Sequence, residues 1–335
     1  MKKKTLLMVL CFFFLSTFAL TGRAMPAPYY EGKVLRIIVG HEVGGGYDRI
    51  GRLLARHLNK HIPGKPAIVV ENMPGAQTII AANYLYNIAK PDGLTIGSFD
   101  RGLPFSQLLK LEGVKFDIIK FSWIGSVASE TMILALRTDL PYKSVEDLRK
   151  AKEPIYLAGV GAGASDTQFP ILLKEFCGFN LKLIDYPSSA ASMLAIERKE
   201  VDGRAGSYSS LKPFIERGLM RPIIRSRVTG PEVANLPVNE DFTTNRVGKA
   251  IMAMLASADR VGRPYVAPPK TPGEVMAILR DAFSKVVQDS ALKEDAKKMM
   301  MSLEYTNAEE TLKILTELMN QPEDVVKEFS KYIKF

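Results

Sequence analysis

Along the first third of the chain, short apolar runs alternate with stretches in which apolar residues recur every three or four positions. Residues 34–39 are rich in β-branched side chains and read as a strand buried in a parallel sheet. Ile50, Leu53, Leu54, Leu58 and Ile62 then mark the apolar stripe of an amphipathic helix. A second strand follows at 67–71 and a second helix at 77–89. The turn Pro91-Asp92-Gly93 leads into a third strand at 94–98. Strand and helix alternating in this way build right-handed βαβ units and a parallel sheet.

The alternation restarts at 132–137, which reads as a strand. Ser144, with Asp147 three residues later, is a capped helix start. Strands are predicted at 155–158, 181–186, 202–206, 221–225 and 263–267, with helices running to about 177 and over 188–199 and 209–217. From Thr271 onward the pattern is helical in pieces, at 272–288, 291–300, 308–319 and 322–331. Two α/β blocks result. The C-terminal helices bring few strands of their own and are expected to pack back on the first block. That divides the chain into a first domain of residues 31–133 and 249–335 and a second of residues 134–248.

The N-terminus has a different pattern. Lys2, Lys3 and Lys4 precede an apolar run from Leu6 to Leu20, and Gly22, Arg23 and Ala24 follow. A basic start, an apolar stretch and small residues at its exit compose a secretory signal, expected at 1–24 with cleavage near Ala24. The run is shorter than the ~20 residues of a membrane span, and an uncleaved anchor is the alternative.

Only this segment makes the charge look basic. The whole chain carries 45 Lys+Arg against 36 Asp+Glu, a net +9. Residues 1–24 hold three Lys, one Arg and no acid, so the remainder carries +5. Arg49, Arg52, Arg56 and Lys60 recur on one helix face as a solvated stripe, and no nucleic-acid partner is expected. Cys177 is the one cysteine beyond the leader, which leaves no intrachain disulfide and a thiol expected in the core.

Two loops share one physical design. Residues 40–48 and 159–166 each leave a predicted strand, pass through glycines and enter a helix. Glycines let ligand atoms reach the backbone amides, and the helix N-terminus adds unpaired N–H donors and partial positive charge. Two such loops, one per block, suit a cleft that closes on an anion; the bland reading is that the glycines only permit tight turns. Gly159, Gly161 and Ala164 also fit a relaxed dinucleotide fingerprint, but Ser165, Asp166 and Thr167 put polar groups where that helix must pack closely. Neither loop ends as a Walker motif.

Catalytic sets are thin. His57 and His61 are four apart on a helix, with no Glu between them and no third ligand, so exposed helix positions are expected rather than a metal pair. His41 and Glu42 lie in the first glycine loop and suit ligand hydrogen bonding or, alternatively, an acid/base pair in an exported enzyme acting on a small acid. Arg101, after the third strand, suits a bidentate fork to a carboxylate or a bond to Asp100. Tyr186-Pro187-Ser188 and Ser207-Tyr208-Ser209 sit at strand exits, where hydroxyls make polar contacts or cap helices.

With these motifs in order, the chain resembles the tripartite tricarboxylate transporter solute-binding proteins, the Bug-type extracytoplasmic receptors. The residues that carry the resemblance begin with Arg36 to Gly40, Gly44-Gly45-Gly46-Tyr47-Asp48, Val69 to Ala76, Pro91-Asp92-Gly93 and Ile96-Gly97-Ser98. Further matches are Gly161 to Ser165, Val201-Asp202-Gly203-Arg204 and Val266 to Pro272. The resemblance covers about residues 33–330. It implies a two-domain α/β fold of the periplasmic-binding-protein type II, or Venus-flytrap, kind, with parallel-rich sheets flanked by helices and two interdomain crossovers. It implies a monomeric receptor without a cofactor or metal, which holds a small organic acid by loop amides and bridging waters. The ligand then passes to the permease subunits of a tripartite tricarboxylate transporter. By position, the first-domain contacts fall on His41, Glu42, Gly44, Gly45, Tyr47, Asp48, Ser98, Phe99, Asp100 and Arg101. Those of the second fall on Gly161, Ala162, Gly163, Ser165, Asp166, Thr167, Tyr186, Pro187, Ser188, Ser207, Tyr208 and Ser209. Two departures from the family pattern, His41-Glu42-Val43 in place of a proline-rich stretch and Phe99-Asp100-Arg101 in place of small polar residues, suggest that an extra charged or polar group is recognised.

Overall fold

The computed structural model describes residues 28–161, 164–228 and 230–332. The leader expected at 1–24 lies outside them, as do Ala162 and Gly163. Two mixed sheets carry the chain. In the first, β1 (Val34–Val39) lies parallel between β2 (Ala67–Asn72) and β3 (Thr95–Ser98). Beyond β3 the pairing turns antiparallel through β10 (Pro264–Ala267), β4 (Ser122–Ser126) and the short edge strand β11 (Thr306–Asn307). In the second, β6 (Ile155–Gly159) lies parallel between β7 (Leu181–Asp185) and β8 (Gly203–Ser207). There β5 (Met132–Arg137) pairs antiparallel with both β8 and the edge strand β9 (Met220–Arg225).

Period two in the strands and period 3.6 in the helices set the layers. Leu35, Ile37 and Val39 of β1 face one way and meet Ile50, Leu53, Leu54 and Leu58 of α1 (Gly46–Leu58), the stripe predicted from sequence, together with α9 (Gly273–Val286). Ile38 faces the other way, into the cluster that holds Ile79, Ala82 and Leu85 of α2 (Ile79–Asn87). In the second sheet, helices α4 (Val145–Lys150), α5 (Ser165–Cys177), α6 (Ser189–Glu197) and α7 (Tyr208–Glu216) join successive strands. Ser144 forms the predicted capping box: its Oγ accepts from Asp147 N at 3.2 Å, and Asp147 Oδ2 accepts from Ser144 N at 3.0 Å.

The chain crosses from the first sheet to the second over residues 127–131 and returns through α8 (Arg246–Val261). The two crossings run side by side, with Glu130 N donating to Asp259 O at 2.9 Å and Arg263 N to Ala128 O at 2.9 Å. Gly262 makes this closeness possible: its φ is +56°, and a Cβ there would lie 1.7 Å from Ala128 O. Of the tail helices, α11 (Ala308–Met319) packs on both α8 and β4, and α12 (Glu323–Ser330) packs on α8.

Three local readings change. The pattern showed no element between 98 and 132, yet α3 (Leu103–Leu108) and β4 lie there; both are too short to display a period. Helix α2 begins at Ile79 rather than 77, because Ala76, Gln77 and Thr78 have φ of 44°, 53° and 72° and form a left-handed turn. The basic stripe of α1 is exposed at Arg52, Arg56 and Lys60 as expected, and it is also engaged: Arg49 reaches Met299 O, Arg52 reaches Asp48 and Asn72, and Lys60 pairs Asp289 on the flank of α10 (Ser290–Lys298).

Candidate functional site

A cleft of about 820 Å³ opens between the two sheets. Its walls are the loops at the carboxyl ends of β1, β2 and β3 on one side and of β6, β7 and β8 on the other. That is where open α/β sheets bind ligands, because strand ends splay there and helices begin there.

On the first side, the 40–45 loop runs into α1, whose N-cap Gly45 has no side-chain cap. Burial alone would raise the Asp48 carboxyl, but bonds from Arg52, Gly44 N and Asn72 hold it below the usual range. Asp48 therefore braces the loop from behind. Gly46 lets the opposite wall approach, since a Cβ there would lie 2.4 Å from Ser210 Oγ and 2.6 Å from Arg263 Nη2.

Tyr47 is the centre of this wall. The His41 ring stacks on it with centroids 4.2 Å apart, and the Arg263 guanidinium lies 4.3 Å from the ring centroid. The Tyr47 hydroxyl accepts from Arg101 N at 2.9 Å and donates to Gly262 O at 3.2 Å. Withdrawal from bulk water pushes the His41 pKa down to about 4. Asp100, with Oδ2 3.6 Å from His41 Nε2, opposes the fall, and the Arg263 and Arg101 charges add to it.

Three buried arginines meet the cleft. Arg101 Nε donates to Asp259 Oδ1 at 2.7 Å, while among the described residues its Nη atoms have no acceptor. The pair is with Asp259, not with Asp100 as the sequence allowed; Asp100 Oδ1 instead accepts from Gly102 N at 2.7 Å and Ser165 Oγ at 3.0 Å. Arg263 Nε donates to Glu130 Oε1 at 2.7 Å, and its Nη2 reaches Ser207 and Ser210 Oγ at 3.1 Å each. Arg204 bonds Asp166, Ser192 Oγ and the Ser189 carbonyl. Burial raises the Asp166 carboxyl against the pull of Arg204, and its Oδ1 is buried without a partner among the described residues.

Of the residues expected from sequence, His41, Glu42, Gly44, Gly45, Tyr47, Asp100, Arg101, Ser165, Asp166, Pro187, Ser188 and Ser207 line the cleft. Asp48, Ser98, Phe99, Gly161, Thr167, Tyr186, Tyr208 and Ser209 lie off it. Ser98 and Phe99 are buried beneath, Thr167 Oγ1 accepts from Val160 N at 3.0 Å, and Ser209 Oγ donates to Glu130. Arg263 and the left-handed turn at 76–78 were not legible, and Arg204, though part of the Val201–Arg204 match, was not read as a site residue. Arg263 stands at a helix–strand junction far along the chain. For Gln77 the one local signal was the Pro74-Gly75 pair before a helix start.

The other candidate chemistry disperses. His57 and His61 are not exposed positions but contact Asp295 and Asp289 at 3.0 and 2.8 Å. Among the described residues no three His, Cys, Asp or Glu converge as metal ligands. Cys177 is buried, and burial pushes its thiol up to about 11.

A family model described as tripartite tricarboxylate transporter family receptor matches residues 50–330. A UPF0065 protein encoded in the gbd 5′ region of Cupriavidus necator is 25% identical over 321 residues, 93% of each chain. The periplasmic binding protein BugD superposes with a TM-score of 0.73 at 23% identity, over 90% of this chain and 98% of its own. The MatC structure from Rhodopseudomonas palustris, with bound malate, gives a TM-score of 0.70 at 17% identity over 90% and 99%.

Proposed function

The chain belongs to the tripartite tricarboxylate transporter receptor family, and from that premise we propose that its cleft captures a small organic carboxylate in the periplasm for delivery to the membrane permease of such a transporter. The observation that carries the carboxylate is Arg101. The guanidinium is 3% exposed, anchored to Asp259 through Nε and part of the cleft lining, and its Nη atoms have no acceptor among the described residues, so they stay available to a ligand. A ligand carboxylate satisfies both Nη atoms in a bidentate fork. The α1 and α5 N-termini add amide donors from opposite walls. The MatC structure holds malate, a small carboxylate of this kind.

The site reads as a receptor rather than an enzyme. His41 and Glu42 share no hydrogen bond among the described residues, Glu42 is exposed, and an imidazole with a pKa near 4 is a poor base at neutral pH. The N-terminal leader supports export, and one chain supplies both walls, as a monomeric receptor requires.

Isothermal titration of the purified protein against a library of organic acids tests this reading. At least one acid binds, and Arg101→Lys, which keeps the charge but loses the planar fork, weakens it about tenfold or more. Bound ligand is recovered chemically unchanged after long incubation. Equal affinity in the variant would remove Arg101 from the site, and turnover would favour the enzyme.

A further inference from the structure

Resting on the receptor reading, we infer that the ligand is an acid with a hydrocarbon body, an aryl or methylene-chain carboxylate, and not a hydroxylated one. The cleft is divided by chemistry. The arginines Arg101 and Arg263 meet at Tyr47: the Arg263 guanidinium lies over its ring and the Arg101 backbone N donates to its hydroxyl. Beyond them the wall presents apolar side chains: Pro187 from the loop after β7, Met193 and Leu194 from α6, Phe214 from α7, and Val43 from the first glycine loop.

Two of these are not core residues that happen to border a cavity. Val43 is 62% exposed and Leu194 is 44% exposed. In α6 the neighbours Met193, Ala195 and Ile196 are buried in the apolar cluster of the second sheet, whereas Leu194 turns into the cleft. Apolar side chains held against water on both walls gain stability only when a ligand covers them.

Several polar atoms on the same wall are engaged within it. Ser188 Oγ accepts from Ala191 N at 3.1 Å, and the Ser189 carbonyl and hydroxyl face Arg204 at 3.2 and 3.4 Å. Glu197 accepts from Arg217 at 2.9 Å. A ligand hydroxyl set against the Val43, Leu194 and Phe214 side chains gives up its bonds to water and gains none from them, which is costly, whereas hydrocarbon gains by burial there. A cleft of about 820 Å³ also leaves room for a body larger than a four-carbon acid.

Charge-matched titrations decide it: adipate and terephthalate against malate and tartrate, and benzoate and octanoate against lactate. The tightest hydrocarbon-bodied acid should bind about tenfold or more tighter than the tightest hydroxy acid of the same charge. Leu194→Gln, an uncharged change at an exposed position, should remove most of that gap, and Phe214→Ala should do the same. Hydroxy acids binding as tightly or tighter would overturn the inference, as would variants that weaken both acid classes equally. Binding of no acid at all would instead overturn the receptor reading on which it rests.

Discussion

At the scale of single residues, the cleft depends on charges that are buried but not idle. Arg101 and Arg263 are anchored at Nε by Asp259 and Glu130, which fixes each guanidinium; the Nη atoms of Arg101 stay available to the cleft, whereas Nη2 of Arg263 bonds Ser207 and Ser210. His41 is the titrating group that reports on this arrangement. Its pKa of about 4 lies below the ordinary 6.5, so the unfolded chain takes up that proton first as the pH falls. The stability this contributes is complete above about pH 6.5 and is lost progressively as the pH drops through 4. His41→Gln removes the term. Thermal melts of the two proteins should therefore converge or cross in the variant's favour between pH 6.5 and 4, relative to their gap at pH 7.5. A constant gap across that window would mean that His41 titrates near its ordinary value.

At the scale of elements, the departures from regular pattern are concentrated at the cleft. Gly75, Ala76, Gln77 and Thr78 have four consecutive positive φ values, an arrangement that sterics make unfavourable for residues bearing Cβ. The turn places Thr78 Oγ1 to accept from Asp100 N at 3.3 Å and sets the edge of the cleft before α2 begins. The crossovers show the same economy of space at Gly262, where α8 ends and the return to β10 begins. Gly262→Ala puts a methyl into Ala128 O and forces a positive φ on alanine. It should destabilise the fold by more than about 3 kcal/mol, read from urea unfolding. A loss under about 1 kcal/mol would show that the two crossings can separate without cost.

At the scale of the whole molecule, two sheets joined by two crossings that run side by side have the construction in which closure would hinge at residues 127–131 and 262–263. Arg263 bonds Glu130 on one crossing and the Ser207–Ser210 segment beyond β8, so it links the joint to the second sheet. Saturation with a bound acid should lower the radius of gyration in small-angle scattering and raise the melting temperature with ligand concentration, by about 2.7 kcal/mol of stability at a hundredfold excess over Kd. Unchanged scattering at saturation would mean that binding occurs without closure. The exported state is checked separately by N-terminal sequencing of the protein from a periplasmic fraction, which should begin near Met25.

How much of this was legible follows from the range of each interaction. The α1 stripe at Ile50, Leu53, Leu54 and Leu58, the Ser144 capping box and the glycine loops at 40–45 and 159–161 were readable because periodicity, capping and tight turns act over a few residues. The order of family motifs added the fold class. What the chain could not disclose on its own was partnership across long separations. Arg101 meets Asp259 rather than its neighbour Asp100, Arg263 reaches the cleft from beyond α8, and Leu194 faces the cleft instead of the core. Those outcomes depend on which surfaces burial brings together. Burial belongs to the folded molecule, where desolvation makes a pairing of distant charges decisive, and not to any local stretch of sequence.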